Sequence, residues 1–185
     1  APDFMVVKAY SRSGVGWMTY NQGMTDLTGS PNWYGNWERA EAWHDGDANQ
    51  GWSDSAPTSS VFSLGKNNNF NDDDEDYIGY CFKNVDGYSK AGVYEGNDDT
   101  DGTFVYLGFR PAWILMVNTE GANSWIVWDN KRSTYNTNDS IMEVNDTTVE
   151  TVDDDKNIDM LSNGFKLRND RTGFNGETTH MYLAF

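Results

Sequence analysis

The sequence has one cysteine and two histidines, and these shortages narrow the chemistry that the chain can perform. Cys81 alone cannot form an intrachain disulfide, and its place in an apolar stretch favours a buried hydrophobic role over a nucleophilic one. A zinc site of ordinary composition would need both His44 and His180 together with carboxylates. Because His180 lies in a strand-like segment, we expect a structural role for it.

Basic residues are also scarce, since 13 Lys and Arg stand against 29 Asp and Glu, for a net charge of −16. Such a charge repels a nucleic-acid backbone, so we expect no nucleic-acid partner. No apolar run approaches the roughly 18 residues that suggest a membrane span, so we expect no membrane insertion. The apolar content is sufficient for a folded core, because 37% of the residues are hydrophobic and 15% are aromatic.

The chain contains two copies of one sequence pattern. Segments of the first half recur in the second in the same order, which indicates a duplicated structural unit. Residues 2–8 match 111–117 at an offset of 109, and residues 16–21, which include Trp17, match 124–129, which include Trp125, at 108. At an offset of 103, the matched pairs are Phe62 with Phe165, Leu64 with Leu167, and Phe82 with Phe185. We expect these matched side chains to be buried.

The spacing of apolar residues predicts an all-β protein. No window keeps the 3.6-residue period of a helix, whereas short β-branched and aromatic runs alternate with turn-forming residues. The predicted fold is an antiparallel β-sandwich of jelly-roll or lectin-like type, built from two tandem units, with little helix. The first unit spans residues 1–91 and the second spans 111–185. The segment between them, 92–110, is predicted to pair as a connecting hairpin.

A long tryptophan-rich excursion at residues 22–60 interrupts the first unit. The corresponding stretch of the second unit contains no tryptophan, so the two units differ most here. Long loops without clear elements often carry function. Three interpretations remain open: a surface that binds sugar rings, a contact between subunits, or a roof over the core. The candidate ligand or interface residues are Trp33, Tyr34, Trp37, Arg39, Trp43 and Trp52.

Acidic turns raise the possibility of calcium, which binds six to eight oxygen ligands. One candidate set begins like a calcium-binding loop, but the position that should supply a bidentate glutamate is Gly108. The competing interpretation is that these are solvated turn residues that protect strand edges. The two candidate sets are Asn97, Asp99 and Asp101, and Asp45, Asp47 and Asn49.

No catalytic motif appears in the sequence. A nucleophile-elbow motif is absent, and nothing singles out either histidine as a general base. Glycoside hydrolysis needs only two carboxylates, and so acidic a chain contains many pairs without favouring any one. We therefore expect a protein that is not an enzyme, with calcium as the one cofactor to consider.

Six segments spread over nearly the whole chain carry a family resemblance. They are residues 56–65 (APTSSVFSLG), 77–82 (YIGYCF), 87–90 (GYSK), 103–111 (TFVYLGFRP), 111–117 (PAWILMV) and 161–167 (LSNGFKL). Together they resemble an uncharacterised β-rich domain of tail-fibre-like and other virion proteins of tailed bacteriophages, especially those of marine bacteria. These are scaffold segments, so the resemblance transfers no catalytic residue.

The resemblance implies a virion structural protein, most readily a segment of a tail fibre or related appendage on the outside of the particle. The implied partners are further copies of the chain in a homo-oligomer such as a trimer, other virion proteins, and a glycan of the host surface. Alternatives from other classes are a free lectin-like carbohydrate-binding module, a capsid-decorating protein and a secreted glycan hydrolase.

Overall fold

The computed structural model describes all residues, 1–185, and contains three antiparallel β-sheets. The predicted all-β sandwich class is confirmed. Helix is confined to α1 (Gln22–Thr28), α2 (Thr172–Asn175) and a 3-10 turn at Asp154–Lys156. None of these is long and apolar enough to cross a bilayer.

The first unit forms a five-stranded sheet. Its strands are β1 (Phe4–Ala9), β2 (Met18–Asn21), β3 (Trp33–Asn36), β4 (His44–Asp45) and β5 (Tyr77–Phe82). Their order in the sheet is β4-β3-β2-β1-β5, which leaves β4 and β5 at the edges. The central strands β1 and β2 are buried along almost their whole length because both faces of this sheet are covered.

The second unit and the segment before it form the other two sheets. The remaining strands are β6 (Lys90–Glu95), β7 (Phe104–Tyr106), β8 (Trp113–Asn118), β9 (Ile126–Asp129), β10 (Ser140–Glu143), β11 (Thr151–Val152), β12 (Ile158–Leu161), β13 (Gly164–Leu167) and β14 (Thr179–Ala184). The six-stranded sheet has the order β11-β10-β9-β8-β14-β6, and the three-stranded sheet has the order β12-β13-β7.

The six-stranded sheet is the middle layer of a three-layer stack. One face packs against the three-stranded sheet in a cluster that includes Trp128 and Phe165. The opposite face packs against the five-stranded sheet in a cluster that includes Leu183 and Phe4. The far face of the five-stranded sheet is covered by irregular chain, which contributes the fully buried Trp52.

The two units share one register of strand pairing, so the duplication is present in three dimensions. The equivalent neighbours are Met5 with Tyr20 and Cys81 in the first unit, and Ile114 with Trp128 and Ala184 in the second. The positions are related by the offsets of 109, 108 and 103 found in the sequence. Strands β1, β2 and β5 therefore correspond to β8, β9 and β14.

The equivalence also includes the excursion at residues 22–60, which contains regular structure that the sequence did not predict. Tyr34 of β3 pairs with His44 of β4, and Ile141 of β10 pairs with Thr151 of β11. Ile141 and Thr151 each lie 107 residues after their counterparts, Tyr34 and His44. The excursion thus contributes the last two strands on one side of its sheet, as the plainer stretch of the second unit does.

The predicted pairing of residues 92–110 as a connecting hairpin is wrong. Strand β6 pairs with β14 in the middle sheet, whereas β7 pairs with β13 in the outer sheet. Tyr94 of β6 and Val105 of β7 instead meet across the core between these sheets. The segment therefore crosses from one layer to the next.

Burial is confirmed for Phe165, Leu167 and Trp125 of the second unit, but not for every matched side chain. Phe165 is buried in β13, but Phe62 lies in no strand and is 36% exposed. Strands β12 and β7 flank β13, whereas the segment at Val61–Leu64 is not part of any sheet. Positions that are only half-buried are Trp17, Leu64, Phe82 and Phe185.

Candidate functional site: an aromatic cleft

The predicted aromatic residues divide between the core and the surface. Trp52 is fully buried and Trp43 is 5% exposed, so both act as core residues. Trp33, Tyr34 and Trp37 are half-buried. The structure therefore does not bring all five rings together on one surface. Only Trp37 lines an open cleft.

The cleft lies on the face of the five-stranded sheet that is turned toward the middle sheet. It has a volume of about 270 Å³ and an entirely apolar lining. This volume is close to the lower end of small-molecule sites, which begin at about 300 Å³. The lining residues are Val6, Trp17, Trp37, Tyr80 and Phe82.

Strand register explains why these side chains converge. Val6 of β1 lies opposite Tyr80 of β5, and directly opposed residues of neighbouring strands point to the same face. Trp17 precedes β2 and Trp37 follows β3, and the Trp37 N–H donates to the Trp17 carbonyl at 3.2 Å. The two indoles are stacked, with centroids 6.5 Å apart, and Tyr80 lies 6.2 Å from Trp17.

Charged groups border the cleft on the Trp17 side. Lys8 Nζ lies 5.8 Å from the Trp17 ring centroid and 3.1 Å from the Glu38 carboxylate. It also donates a hydrogen bond to the Val15 carbonyl. The Glu38 carboxylate is about half exposed, so it can still accept hydrogen bonds from a ligand. The arrangement places flat apolar rings beside a hydrogen-bonding pair.

The sequence did not assign Trp17, Tyr80 and Phe82 to this site. Trp17 was expected to be buried like its counterpart Trp125, which donates Nε1–H to the Asn36 carbonyl at 3.0 Å. Trp125 is enclosed by aromatic rings of the first unit, whereas Trp17 faces the cleft. No sequence signal distinguishes Trp17 from Trp125, because their different environments arise from how the two units stack on each other.

Arg39 does not line the cleft. Its side chain is 62% exposed and lies 3.9 Å from the Glu41 carboxylate. The arginine therefore belongs to the solvated surface beside the cleft.

The residues considered for calcium have other partners. Asp47 accepts hydrogen bonds from the backbone of Asn49 and Gln50, and Asp45 accepts one from the Ser30 hydroxyl. Such contacts stabilise turns without a metal. His44 is exposed beside Glu41, and nowhere do three His, Cys, Asp or Glu side chains come together as potential metal ligands.

The second calcium candidate is organised by cations and an amide. The Asp101 carboxylate lies 3.1 Å from Lys166 and 3.3 Å from Arg168. The backbone carbonyl of Asp99 and the side chain of Asn97 both accept hydrogen bonds from the Asn175 amide at 2.8 Å. Protein groups therefore contact all three candidate residues of this loop.

Cys81 is exposed on β5, contrary to the expected burial. Desolvation by the surrounding chain nevertheless raises the pKa of its thiol, so the thiolate is disfavoured at neutral pH. A raised thiol pKa is the opposite of what a nucleophilic cysteine requires.

His180 is a buried structural histidine. Its ring is fully buried, stacks on Tyr94 at 5.0 Å, and lies with Nδ1 2.8 Å from the Thr178 carbonyl. Burial lowers the pKa of His180 below its ordinary value of 6.5, although backbone hydrogen bonds and Glu120 oppose the shift.

We expect the stability of the protein to decrease as the pH falls below about 6.5, because the unfolded chain then binds a proton that His180 resists. The decrease can reach about 1.4 kcal/mol per pH unit for one such group. Urea unfolding between pH 7.5 and 5 measures it. The His180→Phe variant should lack this component, and identical pH profiles for the two proteins would contradict the assignment.

The comparisons identify a family without a described activity. No curated protein and no solved structure matches the chain. One family matches over residues 1–185. The chain therefore belongs to the family described as a domain of unknown function, DUF7483.

Proposed function

We propose that this chain is a non-enzymatic structural domain of a bacteriophage tail fibre or related appendage, and that its aromatic cleft binds a glycan of the host surface. The observation that carries the binding role is the open cleft lined by Trp17, Trp37, Tyr80 and Phe82. Aromatic rings provide apolar faces for the C–H groups of a sugar ring. The virion context rests on the sequence segments that resemble phage appendage domains.

The charged border supports a sugar ligand over a purely apolar one. A sugar ring carries hydroxyl groups around its edge, and Glu38 and Lys8 can accept and donate hydrogen bonds there. The net charge of −16 favours neutral or cationic saccharides over strongly acidic ones. A free carbohydrate-binding module would use the same cleft, so the two candidates differ in genomic context and not in chemistry.

Alanine replacement of Trp17 or Tyr80 is expected to weaken glycan binding by about thirtyfold each, since a central aromatic anchor contributes about 2 kcal/mol or more. Both rings are partly exposed, so the fold should survive their truncation. Binding is measured by screening bacterial surface polysaccharides on an array, followed by calorimetry with the best ligand.

Tyr135→Ala is the matched control, because that ring is 84% exposed and does not line the cleft. Failure of the wild-type protein to bind any bacterial surface glycan would overturn the binding role. Equal binding by the Trp17→Ala and Tyr135→Ala variants would also overturn it. If the protein released reducing ends from a glycan, and mutation of a single Asp or Glu abolished this release, an enzymatic role would replace the proposed binding role.

A further inference from the structure

The outer edge of β5 is uncovered in a fold whose other strand edges are short or protected. Strand β5 runs for six residues, Tyr77–Phe82, and is exposed along most of its length. Lysine, proline and β-bulges commonly prevent an edge strand from pairing with another chain, and β5 has none of them. The other outer strand of this sheet, β4, has only two residues.

The equivalent edge in the second unit already accepts a strand. There β14 pairs antiparallel with β6 through six residue pairs, from Thr179 opposite Glu95 to Ala184 opposite Lys90. Strand β5 occupies the same place in the repeat as β14, yet its sheet ends at β5. The second unit therefore shows that an edge of this geometry can accept an antiparallel strand.

Other exposed edges have their backbone groups satisfied by asparagine side chains. Asn84 accepts from the Ala91 N–H at 2.7 Å and donates to the Ala91 carbonyl at 3.3 Å, which protects β6. Asn136 makes the same pair of contacts with Met160 on β12, at 3.0 and 3.2 Å. No side chain does so on β5.

Three residues of β5 direct their backbone groups outward. The Tyr10 N–H donates to the Asp76 carbonyl, and antiparallel pairing alternates, so Ile78 and Tyr80 face β1. The N–H and C=O groups of Tyr77, Gly79 and Cys81 consequently point away from the sheet. None of them has a hydrogen-bond partner outside the β1–β5 ladder.

We propose that β5 pairs antiparallel with β5 of a second copy of this chain, in a two-fold dimer that joins the two five-stranded sheets. With Gly79 opposite Gly79 of the other copy, Ile78 of each copy lies opposite Tyr80 of the other, a favourable β-branched–aromatic pair. The same register sets Glu75 of each copy opposite Lys83 of the other, whose ammonium group also pairs with Asp3 of its own chain at 2.8 Å. Charge complementarity at both ends therefore favours a second copy as the occupant.

Gly79→Pro and Gly79→Ala form a matched pair of variants for testing this dimer. A Cβ at residue 79 would lie 3.5 Å from Phe62 and 3.9 Å from Val7, which are ordinary contacts, so both variants should fold. Proline removes the central outward N–H, whereas alanine keeps it. By analytical ultracentrifugation, we expect dimers for the wild type and Gly79→Ala, and a dissociation constant at least about tenfold higher for Gly79→Pro.

The charge pair offers an independent test. Lys83→Glu should weaken the dimer by facing Glu75 with a like charge, and Glu75→Lys combined with Lys83→Glu should restore it. A monomeric wild type, a trimer, equal dimerisation of both Gly79 variants, or an unidentified strand from another protein on this edge would each overturn the proposal. Glycan binding is assayed separately with Trp17→Ala, so the failure of one proposal leaves the other intact.

Discussion

Replacing Trp52 with alanine is expected to lower the free energy of unfolding by about 3 to 5 kcal/mol, which is comparable to much of the stability of a small domain. The indole is fully buried and packs edge-on against Tyr20 at 5.4 Å and Phe70 at 5.3 Å. Its Nε1–H donates to the Trp33 carbonyl at 3.2 Å. Truncation leaves a cavity under the five-stranded sheet and removes this hydrogen bond. Urea unfolding followed by circular dichroism measures the loss.

Tyr135→Ala serves as the control for this measurement, because a side chain that is 84% exposed should contribute less than about 0.5 kcal/mol. A loss below about 1 kcal/mol for Trp52→Ala would mean that the irregular chain does not pack on this face of the sheet in solution.

Replacing Asn175 with alanine is expected to destabilise the protein by about 2 to 3 kcal/mol. The amide nitrogen of this fully buried side chain has two N–H donors and lies 2.8 Å from three acceptors, the Asn97 side-chain oxygen and the carbonyls of Asp99 and Asn169. The amide oxygen accepts from the Thr103 N–H at 3.3 Å. Alanine would leave several of these groups without partners. Thermal unfolding measures the stability, and amide hydrogen exchange of residues 97–103 locates the loss.

Asn97→Ala is the control for Asn175, since it removes one of these contacts at an exposed position. We expect a clearly smaller loss for it, with the rest of the amide network retained. Equal losses for the two variants would show that the Asn175 amide does not organise this loop.

The repeated strands could be predicted because their sequence pattern reflects burial. Strands β1 and β8 are apolar on both faces, and each is the centre of a pairing register that recurs in the other unit. The strands of the excursion could not be predicted in this way. Strand β3 has a glycine and an asparagine among its four residues, and β4 has only two residues. Strand β3 forms because β2 offers an edge to pair with, and β4 then pairs with β3.

For Phe62 and Phe165 the sequence predicted an equivalence that the structure does not have. The two segments have similar residues, but Phe165 lies in a strand flanked by β12 and β7, whereas no strand flanks Phe62. Similar local sequence gave different structure because β7 was available to only one of the two units. The aromatic excursion was likewise identified as unusual, although only Trp37 of its members lines the cleft.

By itself, the sequence determined the all-β class and the duplication, because alternation and burial of apolar residues are local properties that each copy repeats. Tertiary structure alone decided that β6 and β7 belong to different sheets, that Trp125 is enclosed while Trp17 faces a cleft, and that β5 has a free edge. These outcomes depend on how one unit stacks on the other, and two nearly equivalent sequences cannot occupy equivalent environments when only one of them forms the middle layer.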